Sequence, residues 1–258
     1  SGKSTLGRLI VGLLRPTAGH VRVAGVDPAR RRPGSDGARV GLVFQNPNHQ
    51  LLARSIRAEL ALGPAALGWG ADAVRERVDA VATRLALAGV LDAHPYRVPV
   101  PVRKRVAIGA ILAMCPDVIV LDEPTAGQDR ADADSIAALI REEARRGAAV
   151  IVITHDLRFA LEVAESGLVL HEGRALVHGP VRRVLADQAT LDAAGLEAPP
   201  LAALALRLGL AVPAGAGAIE ELEQTIRGRP DRSGPPGTRG RAGRVPGDHG
   251  MAGSGGAP

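Results

Sequence analysis

Two uninterrupted apolar runs, each ended by polar residues, constrain the fold of this chain more than any other feature. "DVIVLDEP" occupies residues 117–124, and "AAVIVITHD" occupies residues 148–156. Strands that are apolar on both faces are typical of parallel sheets, because helices cover the two faces of such sheets. A helical stretch near 130–146 lies between the two runs, which completes a strand, helix, strand pattern. The sequence therefore predicts an α/β fold built on a parallel sheet.

Shorter patterns predict further strands. "HVRVAG" at 20–25 alternates as a short strand, and "GLVFQ" at 41–45 is typical of another. "GLVLHEGRALVHG" at 167–179 predicts a hairpin that turns at Glu172-Gly173.

Helical patterns fill much of the remaining chain, at residues 50–115 and 181–226. Glycine and proline predict interruptions of these helices at Gly63-Pro64, 68–70, 94–101 and 213–217.

The motif "SGKST" at residues 1–5 stands directly before a helical pattern. A helix N-terminus preceded by a small residue can bind phosphate through its backbone N–H groups. Lys3 would neutralise phosphate charge there, and the Ser4 hydroxyl would ligate Mg²⁺. An ordinary helix start with a capping serine is the alternative. Lys3 is one of two lysines in a chain with 30 arginines, which favours a specific role for its ammonium group.

Three titratable residues end the two apolar runs, where open α/β sheets place their ligand sites. Asp122 would bind Mg²⁺ through water, and Glu123 would act as a general base toward an attacking water. A pair of carboxylates that caps the next helix is the alternative. His155 ends the second run, and a structural histidine is the alternative there.

The order of these motifs resembles the ATP-binding subunits of ABC transporters over residues 1 to about 186. The shared motifs are "SGKST", "VFQNP" at 43–47, "LDEPTAGQD" at 121–129 and "THD" at 154–156. "GLVFQNPNHQLL", "LGPAALG" and "LDEPTAGQD" are most similar to the energy-coupling-factor and cobalt or nickel uptake ATPases of prokaryotes.

The resemblance implies a P-loop NTPase (RecA-like) fold, with ATP and Mg²⁺ as cofactors. It implies catalytic roles for Glu123 and His155. It implies nucleotide-binding residues at Ser1, Gly2, Lys3, Ser4, Thr5, Gln45 and Asp129. It implies Mg²⁺ ligands at Ser4, Gln45 and Asp122.

The segment "VPVPV" at 98–102 departs from this family. It stands where the resemblance places a Leu-Ser-Gly-Gly-Gln signature, which contacts the γ-phosphate held by a second subunit. Pro99 and Pro101 have no N–H group, and Val100 has a β-branched side chain where close approach needs glycine. We therefore expect a heterodimer with a second ATP-binding subunit whose signature is intact.

The resemblance also implies a division of the chain. Residues 1–187 form the ATP-binding domain, with its core at 1–45 and 116–187 and an inserted helical subdomain at 46–115. A helical extension follows at 188–226, and a disordered Gly/Pro/Arg tail at 227–258. The expected place is the cytoplasmic face of the cell membrane, as a peripheral subunit on membrane transporter subunits. A non-catalytic nucleotide-binding partner and a truncated, inactive gene remnant are the alternatives.

Composition excludes several other classes. The net charge is +5, and residues 227–258 account for four of these positive charges. Residues 1–226 are therefore nearly neutral, and we expect no basic face for specific nucleic-acid binding on them. Cys115 is the only cysteine, which excludes an internal disulfide. No apolar run approaches the ~20 residues that cross a bilayer. The sequence begins without Met and inside a motif, so we expect that the natural N-terminus lies upstream.

Overall fold

The computed structural model describes residues 2–30, 39–213, 215 and 217–227. The strands are β1 (Val40–Val43), β2 (Val118–Asp122), β3 (Ala149–Ile153), β4 (Ser166–His171) and β5 (Arg174–Pro180). The first helices are α1 (Lys3–Ile10), α2 (Ile56–Ala66), α3 (Ala71–Arg84), α4 (Val100–Ala113) and α5 (Arg130–Arg145). The later helices are α6 (Leu157–Val163), α7 (Val181–Val184), α8 (Gln188–Ala194), α9 (Pro200–Arg207) and α10 (Ala218–Arg227).

A parallel sheet with the order β1-β2-β3 forms the centre of the fold. Leu42 pairs with Val120 and Val120 with Ile151, so the three strands run in one register. Both apolar runs that end in polar residues are strands of this sheet, which confirms the α/β prediction. The carboxyl ends of all three strands meet at one edge, where the candidate site lies.

Helices cover both faces of the sheet. Helix α1 packs on the face formed by Leu42, Val120 and Ile153. Helices α4 and α5 cover the opposite face, which contributes apolar side chains to the largest core cluster. A Cβ atom at Gly41 would lie 2.2 Å from Ile111 Cγ2, so α4 approaches the backbone of β1 directly.

Helices α2, α3 and α4 pack together beside this sheet, around fully buried side chains such as Leu60 and Ile108. The expected break at Gly63-Pro64 is wrong, because α2 continues to Ala66. Pro64 lies in the last turns of α2, where it removes one intrahelical hydrogen bond without ending the helix. A Cβ atom at Gly63 would lie 2.3 Å from Met114 Cγ, so the glycine permits close helix packing.

The expected strand at 20–25 is also wrong. Val23 and Val26 form an isolated antiparallel bridge instead. Ala24 and Gly25 both have positive φ, at 49° and 78°, so the backbone reverses inside the apparent strand. The hairpin prediction at 167–179 is confirmed, since β4 and β5 pair antiparallel across Glu172-Gly173.

The helices after β5 pack on β4 and α6 around a second cluster that includes Val169, Leu185 and Leu191. Arg182 of α7 forms an ion pair of 2.7 Å with Glu221 of α10, which ties the last described helix to the body. Ser1, part of the predicted loop at 213–217 and the predicted tail after Arg227 lie outside the described residues. Within the part of the chain that the structure describes, no helix is both long and apolar enough to cross a membrane.

Candidate functional site

An open cavity of ≈ 290 Å³ lies at the carboxyl edge of the central sheet. It is lined by Gly2, Lys3, Ser4, Thr5, Gln45, Asp122, Glu123 and Ile153. Seven of these eight residues were predicted as site residues from the sequence. The fold brings them together because α1 begins at the same edge where β1, β2 and β3 end.

The N-terminus of α1 forms one wall of the cavity. Gly2 is the N-cap residue and has φ 90°, a left-handed conformation that favours glycine. No side chain within the described residues caps this helix, and the first N–H groups of a helix have no partner inside the helix itself. The positive end of the helix dipole and the Lys3 side chain add positive charge at the same place. This wall is suited to an anion such as phosphate.

Asp122 and Glu123 form a second wall of the cavity, and each is 8% exposed. Among the described residues, Asp122 Oδ1 has no hydrogen-bond partner although it is buried. A buried, unpaired carboxylate oxygen is costly unless a cation or a bound water satisfies it. The atom therefore fits a cation held directly or through water.

A shared cation site is consistent with the surrounding residues. The described residues contain no group of three or more His, Cys, Asp or Glu that could hold a metal ion by themselves. Mg²⁺ is usually bound by one or two carboxylates together with substrate phosphates and waters. Ser4, Gln45 and Asp122 line this cavity and could supply oxygen ligands to such an ion.

The Glu123 carboxylate is held by two residues at the end of β3. His155 Nδ1 lies 2.9 Å from Glu123 Oε1, and Thr154 Oγ1 donates to Glu123 Oε2 at 3.3 Å. An ionised carboxylate can only accept, so the first contact requires the proton on His155 Nδ1. The His155 side chain is itself 72% exposed, which leaves its ring accessible from solvent.

Asp129 lies apart from the residues that line the cavity. It is the N-cap of α5, and its Oδ1 accepts from the backbone N–H of Asp132 at 2.8 Å. The Ser1 prediction falls outside the described residues. The structure thus groups Gly2 to Thr5, Gln45, Asp122 and Glu123 around one cavity, with His155 bonded to Glu123.

Sequence reasoning missed two residues that support this site. Lys104 Nζ donates to the carbonyls of Glu123 and Ala126, at 3.0 and 2.9 Å. The Gln50 side chain accepts from Phe44 N–H at 3.3 Å and donates to the Ala107 carbonyl at 2.8 Å. The bond to Phe44 joins the residues before and after Gln45 and so helps to hold this segment. A signal for the lysine was available, because Lys3 and Lys104 are the only lysines in the sequence.

Burial of Lys104 lowers the pKa of its ammonium group, and the nearby charge of Glu123 opposes that shift.

The "VPVPV" segment forms the start of α4. Pro99 is the N-cap residue, Pro101 lies in the first turn, and no side chain caps the helix within the described residues. Since two of the first residues lack an N–H group, this helix start offers fewer donors than the start of α1. Val100 is 52% exposed and places an apolar side chain at that surface.

Comparisons with known proteins agree with these features. A family model described as "ABC transporter" matches residues 1–126. The energy-coupling factor transporter ATP-binding protein EcfA2 of Symbiobacterium thermophilum is 38% identical over 234 residues, covering 88% of this chain and 81% of that protein. The EcfA protein of Methanothermobacter thermautotrophicus is 37% identical over 213 residues, covering 82% and 68%. Some relatives are longer, and this chain spans 35% of a putative ABC transporter ATP-binding protein of Methanosarcina acetivorans.

Solved structures show the same fold. The cbiO1 protein of Clostridium perfringens, described as part of the ABC transporter complex cbiONQ, has a TM-score of 0.63 at 29% identity, covering 79% of this chain and 82% of that one. A dimeric ATP-binding cassette in a post-hydrolysis state, bound to ADP and Pi, has a TM-score of 0.63 at 23% identity, covering 70% and 81%. From the helix start and the paired carboxylates that share one cavity, and from these relatives, we conclude that the chain belongs to the ABC transporter ATP-binding family, among relatives of the energy-coupling-factor type.

Proposed function

We propose that this chain binds Mg-ATP and hydrolyses it to drive an energy-coupling-factor-like uptake transporter. One observation carries the proposal. The buried pair Asp122-Glu123 lines the same cavity as the N-terminus of α1, and Asp122 Oδ1 has no hydrogen-bond partner among the described residues. This arrangement provides an anion-binding wall, a place for a cation and a base within one site.

The phosphates bind at the N-terminus of α1. Backbone N–H groups of residues 2–5 donate to phosphate oxygens, and Lys3 neutralises their charge. The left-handed Gly2 allows the backbone to approach the ligand closely. Ser1 belongs to the same proposed binding motif.

The proposed Mg²⁺ site lies between the two walls. The Ser4 hydroxyl and Gln45 would hold the ion, and Asp122 would bind it through water. When bound, Mg²⁺ would neutralise charge on the phosphate groups. The unpaired Oδ1 of Asp122 is the structural support for this assignment.

Glu123 is the proposed general base, which orients a water for in-line attack on the γ-phosphate and accepts its proton. The contact with His155 fixes the position of one carboxylate oxygen, and Thr154 fixes the other. His155 is therefore assigned to the catalytic group through its contact with the base. Asp129 caps α5 and does not line the cavity of its own chain. We therefore assign it to nucleotide binding only in the assembled pair of subunits.

We further propose that the active assembly is a heterodimer with a second ATP-binding subunit. The start of α4 is the surface that would face the nucleotide of that subunit, and Pro99 and Pro101 remove donors from it. The nucleotide held by Lys3, Asp122 and Glu123 would meet an intact signature on the partner. One site of the pair then hydrolyses ATP, and the other holds it.

The proposed domain division is the one that the sequence predicts. The core comprises 1–45 and 116–187, the helical subdomain 46–115 docks on membrane transporter subunits, and 188–226 forms an extension. The protein would then act as a peripheral subunit at the cytoplasmic face of the membrane. A non-catalytic nucleotide-binding partner is the second candidate, and the loss of donors at Pro99 and Pro101 favours it.

Replacement of Glu123 by Gln tests the proposed function. Glu123→Gln should retain ATP binding and lower turnover by ~10²–10⁴, the usual contribution of general acid–base catalysis. Steady-state phosphate release and equilibrium ATP binding are measured with and without the second subunit. Lys3→Ala is the control for contaminating ATPase, because it should weaken ATP binding itself. Unchanged turnover in Glu123→Gln would overturn the assignment of the base and favour the non-catalytic alternative.

A further inference from the structure

Lys104 is a buried cation that contacts the backbone of the segment carrying the proposed base. The residue is 2% exposed, and it lies on the second turn of α4. Its Nζ donates to the carbonyl oxygens of Glu123 and Ala126, at 3.0 and 2.9 Å. An ammonium group has three donors, so two of them are used on this one turn.

The turn that receives these bonds has an unfavourable backbone conformation. Glu123 has φ 49°, a left-handed backbone angle that residues other than glycine seldom adopt. Its N–H donates to the Ile153 carbonyl at 2.8 Å, and its carbonyl accepts from Ala126 N–H at 3.2 Å. Such strained positions persist only when the surrounding structure holds them in place. Among the described residues, the Lys104 ammonium binds this carbonyl from outside the turn and the sheet.

This conformation determines where the Glu123 carboxylate lies. The residue follows β2 directly, and the left-handed turn places its side chain between the cavity and His155. A turn that relaxed to negative φ would redirect the side chain away from both. A buried lysine that serves only stability would not need to contact the residue with the strained backbone.

We propose that Lys104 is a positioning residue, which holds the 123–126 turn so that the Glu123 carboxylate faces the bound phosphate. The proposal rests on the proposed function, since it assigns Lys104 a role through the base. Burial lowers the pKa of the Lys104 ammonium group, and the charge of Glu123 opposes that shift. Lys104 itself does not line the cavity and has no direct role toward nucleotide in this proposal.

Lys104→Met is the direct test, because methionine keeps the apolar stem and removes the donors. A misplacement of about 1 Å in a reacting group can lower a rate by ~10²-fold, so turnover per folded molecule should fall by about 10–10²-fold. ATP affinity should stay within about twofold, since the phosphate-binding wall is unchanged. Lys104→Arg retains charge and donors and should restore part of the turnover.

Arg77→Met is the matched control. Arg77 also uses its cation to bind two backbone carbonyls, those of Leu112 and Ala113 at the other end of α4. Its loss should lower stability in the same way, as measured by thermal unfolding, and should leave turnover per folded molecule unchanged. An equal loss of turnover in both variants would mean that Lys104 acts only through the stability of α4. If Lys104→Met does not fold, Lys104→Gln and Lys104→Arg are compared with Arg77→Met instead.

A double-mutant cycle separates this proposal from the proposed function. In the Glu123→Gln background, Lys104→Met should lower turnover little further, because both changes remove the same contribution. If Glu123→Gln leaves turnover unchanged, the assignment of the base fails. If Glu123→Gln lowers turnover and Lys104→Met lowers it by the same factor in both backgrounds, the positioning role fails and the base assignment stands.

Discussion

Two adjacent buried carboxylates with different partners define the site at the scale of residues. Glu123 is bonded to His155 and Thr154, whereas Asp122 Oδ1 has no hydrogen-bond partner among the described residues. The first arrangement fixes the orientation of a base, and the second leaves an oxygen for a ligand. Neighbouring residues of similar chemistry therefore have separate roles in the proposed reaction.

The unpaired oxygen leads to a prediction about Mg²⁺. Asp122→Asn should remove most of the gain in ATP affinity that Mg²⁺ gives, because the amide carries no negative charge toward the ion. Without Mg²⁺, the variant and the original protein should bind ATP with similar affinity. Equilibrium binding titrations in EDTA and in excess Mg²⁺ measure both values. Equal Mg²⁺ enhancement in the two proteins would remove Asp122 from the proposed ion site.

At the scale of elements, a partly buried ion-pair cluster connects α3 with α5. One nitrogen of Arg84 bonds Glu142 at 2.8 Å and Glu143 at 2.7 Å, and the Arg84 side chain is 19% exposed. Arg146 also contacts Glu143, at 3.1 Å. The cluster joins a helix of the proposed helical subdomain to a helix that packs on the central sheet. We therefore expect it to stabilise the packing of these two parts.

Arg84→Met should lower the free energy of unfolding by about 1–3 kcal/mol, because it removes a partner from the buried Glu143. Arg57→Met is the control. Arg57 pairs with Asp79 and Asp92 at the surface, and such exposed pairs contribute about 0–1 kcal/mol. Urea unfolding at neutral pH measures both variants. Equal losses in the two variants would contradict the assigned role of the α3–α5 cluster.

The effect of Arg84→Met should also depend on pH. The hydrogen bond from Arg84 lowers the pKa of Glu142 below its ordinary value of 4.5. A carboxylate with a lowered folded pKa contributes stability above its unfolded pKa, and this stability is lost as pH falls through the folded value. The difference in unfolding free energy between the original protein and Arg84→Met should therefore shrink below about pH 4.5. A difference that grows on acidification would contradict this sign.

The sequence predicted elements well where a pattern was long, and it failed where local packing decided the outcome. The two apolar runs became β2 and β3 because their burial on both faces leaves few alternatives. The alternation at 20–25 was misleading because Ala24 and Gly25 form a turn. Pro64 did not end α2 because it stands in the last turns of the helix.

At the scale of the whole molecule, the cavity residues were predictable because their motifs end strands or begin a helix at one sheet edge. Gly2 to Thr5, Gln45, Asp122 and Glu123 meet there as expected. Lys104 and Gln50 were not predicted, because their contacts join residues 19 and 57 positions apart in the chain. Periodicity and motif spacing contain no information about such long-range contacts. Asp129 caps α5 and does not line the cavity in the part of the chain that the structure describes.

The most direct test of this account measures ATP turnover in the proposed heterodimer with one base removed at a time. Each subunit in turn carries the Glu→Gln change, at Glu123 here and at the equivalent residue of the partner subunit. Glu123→Gln should abolish most turnover, since in the proposed heterodimer the nucleotide on this chain would meet the partner's intact signature. The loss of donors at the start of α4 costs ~10²–10³ in rate at the other site, so the partner's change should have little effect. Turnover that stops only with the partner's change, or brisk hydrolysis by this chain alone, would contradict the account.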